Sequence, residues 1–470
     1  MKREWIVRIF TALLAALVLV ACGDQEPDPT AEPPPTEAPE EPDTTGDANA
    51  DGGDMDGAMG ESADFEIWAV DQSDTRADQG GVLYIWDGNA QAGDEAEVVD
   101  LAQAADEAGC PAGKRPHMVL TNHASPPTHV IMANVGSGST FFVDPATRQL
   151  VGCVSTKDGF NGIGGSAQSH AANGTPDDSM VIIADIGGKD ADGNNQSGWL
   201  HKIQTDYSTS TFKLVETLPL HQFADDLGTS LARPICHEFT PDSRFAYVTF
   251  GGGGILVVDV GSADGSTPMT MAHAYPADVV PGVGCGTFVP PETPEIMLTN
   301  GASTSDPNPT DGDWMYVFDT SGHVNGEFPT PTQIALPGAD THGVQVCVDP
   351  DGNQFAWSLM RVTSEISIVD LQSNEVVATH SLKTDFAPDP TPDLGFMRDG
   401  KFYFTLRGPE PLTAITSLTS DQRTPGVAVI TMSEDCKSFT WDETDLLTVG
   451  DNTVLPPDPH GMELVTIATP

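Results

Sequence analysis

The stretch from His342 to Leu382, HGVQVCVDPDGNQFAWSLMRVTSEISIVDLQSNEVVATHSL, decides the fold. HGVQVCV alternates in the manner of a strand, and Asp349-Pro350-Asp351-Gly352 is a turn. FAWSLMR (Phe355 to Arg361), EISIVDL (Glu365 to Leu371) and VVATHSL (Val376 to Leu382) supply a second, a third and a fourth strand. Repeats of about 40–50 residues built from short strands are the signature of a β-propeller.

The unit recurs seven times, each copy opened by a polar residue: His117 (RPHMVL), His170 (SHAA), His237 (CHEF), Cys285 (GCGTFV), His342 (HGVQVCV), Asp393 (PDLGFM) and His460 (HGMELV). The first copy is split. FEIWAVD, GVLYIWD and AEVVDL match second, third and fourth strands, while His460 to Ala468 is a first strand with nothing after it. The expected fold is therefore all-β, a seven-bladed β-propeller closed by a C-terminal strand that completes blade one. Closure removes the open edges that a linear β-sandwich array would leave. Insertions lengthen loops at His123 to His129, Lys189 to Gly198 and Leu412 to Pro425.

Residues 1–21 read as a bacterial lipoprotein signal peptide. Lys2, Arg3 and Arg8 precede the apolar run Ile9 to Val20, and Leu19-Val20-Ala21-Cys22 resembles a lipobox. That resemblance implies cleavage before Cys22 and lipidation of its thiol. Residues 22–64 form an acidic, Pro-rich linker too poor in apolar side chains to fold, which suits a tether to a membrane on the periplasmic or extracellular side. Residues 65–470 are the propeller.

The net charge is 20 − 69 = −49, which excludes nucleic acid as a natural partner and favours cations, solubility and a saline habitat. Seven cysteines less Cys22 leave six, an even number in an exported chain, which favours disulfides. Spacing alone leaves many connectivities open. Pairing neighbours along the repeat gives Cys110 with Cys153, Cys236 with Cys285, and Cys347 with Cys436.

If the ring closes, the openers converge on one channel mouth. Five of the twelve histidines then share one structural position. Imidazole suits zinc and copper, so His117, His170, His237, His342 and His460, with Asp393, are the candidate metal ligands. Cys285 is excluded if it is disulfide-bonded. The competing reading is that each opener hydrogen-bonds the next blade or channel water. Arg361 (SLMR) and Arg407 (TLRG) end corresponding second strands. They either hold an anionic ligand or cofactor at the same mouth or pair with carboxylates. Weaker motifs carry less. Asp190, Asp192 and Asn194 lack the later positions of a calcium loop, and Gly251 to Gly254 lacks the helix and Lys of a phosphate loop. His123 and His129 sit in a polar loop.

Over residues 65–470 the VVD and IVD strand ends, with the turns that follow them, resemble the YVTN-type and lactonase-like seven-bladed propellers of exported bacterial proteins. The five opener histidines are similar to metal-binding positions in the nitrous oxide reductase propeller and in periplasmic zinc-chaperone propellers. The chain lacks the cysteine- and histidine-rich electron-input domain of the reductase, so that activity is not implied. Three functions follow as expectations. The first is a tethered propeller that binds a metal (zinc or copper) or a small polar ligand. The second is a metal-dependent lactonase-like hydrolase, and the third a structural propeller with a protein partner.

Overall fold

In the computed structural model the described residues are 64–74, 80–282, 284–301, 313–413, 415–416, 418–450 and 452–467. The expected signal peptide, Cys22 and nearly all of the linker lie outside them. Seven antiparallel sheets follow one another around a ring. The His342 repeat folds as read: Thr341–Val348, Gln354–Met360, Glu365–Asp370 and Glu375–Ser381 form blade six, in that order from the channel outward.

Ring closure is as expected. Pro459–Thr466 pairs antiparallel with Phe65–Asp71 and becomes the innermost strand of blade one, followed by Val82–Asp87 and Glu97–Asp100. A short helix, Leu101–Ala108, leads to blade two. It starts because the Asp100 side chain accepts from the Ala102 and Gln103 amides, and it ends on Gly109 in the left-handed region.

The second and third strands read as unbroken apolar runs because both of their faces are buried. In blade seven, Phe402 and Phe404 pack toward Trp357 and Ile366 of blade six. The alternate residue Tyr403 joins Tyr84 and Trp86 of blade one. Each pair of adjacent blades shares such a core, and the seventh core, between blades seven and one, closes the circle.

The three disulfides join Cys110 to Cys153, Cys236 to Cys285, and Cys347 to Cys436, the pairing expected from the repeat. The second ties the innermost segments of blades four and five. They fit an oxidising, extracytoplasmic environment. Among the described residues no helix is long and apolar enough to cross a membrane.

Candidate functional site

Six of the seven innermost strands carry one extra residue at their start. In blade six Thr341 pairs with Met360 and Val344 with Ser358, so His342 and Gly343 span a bulge. The same irregularity falls at Asp393-Leu394, at His460-Gly461, at His117 and at His170. A bulge re-aims a side chain out of the strand's alternation. Here it turns the openers toward the axis.

The register corrects one expectation. In blade four Pro234 pairs with Phe250 and His237 with Val248, so the bulge holds Ile235 and Cys236. Ile235 occupies the position equivalent to His342, and His237 lies two residues beyond the ring. The sequence concealed this because Cys236 and His237 are the polar residues of that strand start. In blade five the equivalent residue is Cys285, whose sulfur is consumed in the disulfide to Cys236.

Glycines let the inner strands crowd together. A Cβ on Gly461 would lie 2.6 Å from the His117 carbonyl oxygen, and one on Gly343 would lie 2.6 Å from that of Asp393. No side chain fits at either distance, so the HG dipeptides of HGVQ and HGME are packing requirements.

Five openers form one contact chain across five blades. His170 Nε2 lies 2.8 Å from His117 Nε2, and His117 Nδ1 lies 2.9 Å from His460 Nδ1. His460 Nε2 is 3.5 Å from Asp393 Oδ2, and His342 Nδ1 is 2.6 Å from Asp393 Oδ1. All five are buried. Burial holds the imidazoles of His117 and His460 well below their usual range, and it pushes His170 down to about 3. The rings are neutral, and each carries one N–H. The backbone of Ile235 hydrogen-bonds His170, which directs the remaining His170 nitrogen, as acceptor, toward His117. His117 then accepts at Nδ1 from His460. That assignment follows from the partners of each nitrogen. His460 Nε2 faces the Asp393 carboxylate.

Burial alone would raise the Asp393 carboxyl. The surrounding His460, His342, Arg407 and Arg361 hold it well below the carboxylate range instead. Arg361 is bidentate to Asp340, at 2.7 Å and 2.7 Å, and reaches Asp393 Oδ1 at 3.2 Å. Arg407 is bidentate to Asp458, at 2.7 Å and 2.7 Å, and reaches Asp393 Oδ2 at 3.0 Å. Of the two roles the sequence left open for these arginines, pairing with carboxylates is the one their side chains adopt. Asp340 and Asp458 were missed in the sequence, although each stands two residues before an opener (Asp340-Thr341-His342 and Asp458-Pro459-His460).

The inserted loop after Leu412 covers this cluster. Leu412 donates its amide to Asp458 at 2.7 Å, Thr413 accepts from Arg407 at 3.2 Å, and Ile415 is buried. The ring is therefore a closed chamber at this end, where the sequence suggested an open mouth.

Two groups bring three potential ligand atoms within 4.8 Å of one another: His342, Asp393 and His460, and His170 with Cys236 and Cys285. The second fails chemically, because a disulfide sulfur is not a thiolate. The first mixes imidazole and carboxylate, a donor set that zinc accepts. Three carboxylates (Asp340, Asp393, Asp458) and the guanidiniums of Arg361 and Arg407 interlock beside it.

On the far side of the ring the channel opens into a cavity of about 200 Å³. Three residues past each ring position a second circle faces it: Glu463, Leu120, Asn173, Glu238, Phe288, Gln345 and Phe396. His237 also lines this cavity, its ring nitrogens meeting only the backbone of Ile182 and Asn173. His123 lines its rim, whereas His129 binds Ser210 at 3.0 Å and stays a loop residue.

No family model matches the chain, and no curated protein matches it. Solved structures do. A hypothetical selenium-binding protein from Sulfolobus tokodaii is 10% identical, with 87% of this chain and 96% of that chain covered and a TM-score of 0.58. A functionally unknown protein from Desulfotomaculum acetoxidans is 10% identical, with 86% and 100% covered and a TM-score of 0.52. A putative 6-phosphogluconolactonase from Bacteroides fragilis is 13% identical, with 74% and 98% covered and a TM-score of 0.43. At such identities the likeness is one of fold, which leaves activity to the site. The class is thus a seven-bladed β-propeller with a group of His and Asp residues that could hold a metal ion.

Proposed function

We propose that the chain is an extracytoplasmic, membrane-tethered binding propeller that holds a zinc or copper ion between His342, Asp393 and His460. The observation that carries this reading is the convergence of His460 Nε2 on one oxygen of Asp393 at 3.5 Å and of His342 Nδ1 on the other at 2.6 Å. The three ligand atoms lie within 4.8 Å of one another, a spacing one ion can bridge. Zinc needs ligand atoms at about 2.0–2.1 Å, so the three groups would draw inward slightly. His117 would orient His460 through Nδ1, as outer-shell partners of metal-bound histidines do. The covered end directs access through the cavity. Tethering rests on the lipobox-like Leu19 to Cys22.

The test is metal analysis of protein purified without chelator, followed by melting of the stripped protein with zinc or copper added. About one equivalent of metal and a raised melting temperature are expected, both lost in His342→Ala and His460→Ala. A metal-free protein whose melting is indifferent to both ions overturns the reading. Metal-dependent turnover of a lactone panel would move the assignment to a hydrolase. Loss of membrane association in Cys22→Ser is the expected result for the anchor.

A further inference from the structure

The cavity beyond the ring carries a second, independent site. Its titratable lining is His123, His237, Glu238 and Glu463, with the half-cystines Cys236 and Cys285 tied in their disulfide, and no Lys or Arg lines it. Glu463 accepts from the Thr121 amide at 3.2 Å and the Leu464 amide at 2.9 Å. Glu238 accepts from the Phe239 amide at 2.9 Å and Asn173 Nδ2 at 3.4 Å. Each carboxyl keeps acceptor capacity toward the cavity, since a carboxylate offers about four lone-pair sites. His237 is 3% exposed, and its nitrogens meet only the backbone of Ile182 and Asn173, without a well-formed hydrogen bond to either. A poorly partnered buried imidazole is costly unless a ligand completes it.

The remaining wall is apolar, formed by Leu120, Phe288, Phe396 and Met462. His237, Glu238 and Glu463 do not form a set close enough for one metal ion, in contrast to His342, Asp393 and His460. The occupant is therefore larger than an ion, carries N–H donors and positive charge, and has a carbon body. We propose that this cavity binds a small aliphatic diamine in its ammonium form, with one nitrogen held by Glu238 beside His237, the other by Glu463, and the chain against Phe288 and Phe396. An ammonium group has three donors and no acceptor, which matches a lining with acceptors and no fixed cation. Burial pushes the Glu238 carboxyl up to about 7 and Glu463 up to about 8. A bound cation reverses that, so binding strengthens as pH rises from 6 to 8, where the buried His237 adds no positive charge.

The test is calorimetric titration of the purified chain with 1-aminohexane, 1,5-diaminopentane, hexan-1-ol and hexanoate. Saturable binding of the diamine is expected, with hexanol and hexanoate weaker by about ten-fold or more. Glu463→Gln and Glu238→Gln are each expected to weaken the amine by a similar factor, with melting temperature as the control for folding. If a variant fails to fold, the comparison of amine with alcohol on the unaltered chain still decides. Failure of the diamine to bind, equal binding of hexanol, or amine binding unchanged in folded glutamine variants would overturn the proposal. Because His342→Ala and His460→Ala leave this lining intact, amine binding should survive in them. The two sites can therefore fail separately.

Discussion

His460 Nδ1 lies 2.9 Å from the His117 carbonyl oxygen, while its Nε2 lies 3.5 Å from Asp393. One imidazole thus bridges blades one, two and seven. It comes from the strand that closes the ring, so the integrity of the fold and of the candidate site are coupled through it.

His460→Ala and Asp393→Asn should each abolish metal uptake, whereas His237→Ala should leave the metal content unchanged. Elemental analysis of the purified variants checks this. Equal metal loss in all three would mean that the ring position in blade four had been misjudged.

Arg407→Met should destabilise the chain by about 3–5 kcal/mol, because it strips Asp458 and Asp393 of a buried cation. Urea unfolding measures it. Adding Asp458→Asn should recover part of the loss, as expected when the cost lies in an unpaired charge.

Gly343→Ala should cost about 1–3 kcal/mol by pushing its strand off the Asp393 carbonyl. It should also weaken metal uptake by spreading the ring, although it removes no ligand. Melting temperature and metal titration report the two effects together.

The pH dependence has two opposing parts. Burial lowers His170 to about 3 and His237 to about 4 in the folded chain, against an ordinary value of 6.5. Their contribution is complete above 6.5 and is lost as pH falls toward those values. Glu463, raised by burial from 4.5 to about 8, acts in the reverse sense. Its contribution is present below 4.5 and lost as pH climbs through 8. Glu463→Gln removes the second part alone. Its melting temperature relative to the parent should therefore become more favourable from pH 5 to pH 9. A flat difference would show that Glu463 does not titrate as its burial implies.

Much of this was legible in the sequence. The alternation and Asp/Pro/Gly turns of the His342 repeat reproduce themselves around the circle, and the split first repeat dictates closure. Disulfide pairing followed from the same periodicity. What escaped was set by register. Ile235 is the ring residue of blade four because the bulge there begins one residue after Pro234, and an apolar side chain gives no hint of a position otherwise held by polar groups. The partners of Arg361 and Arg407 escaped because Asp340 and Asp458 precede the strands in which the search for polar residues began. The second circle, at Glu238 and Glu463, was hidden for a related reason. Its members share an offset from the openers, and that offset has meaning only once the bulges are aligned.

The strand Pro459–Thr466 reaches blade one from the opposite end of the chain and brings His460 with it. A nascent polypeptide in transit across a membrane would hold His117 and His170 early, yet lack the imidazole that joins them to Asp393. Cargo could therefore be captured only after translocation is finished, in the compartment where the protein resides. On the metal-binding reading, a protease that clipped the last strand would release the ion and spring the toroid in a single event.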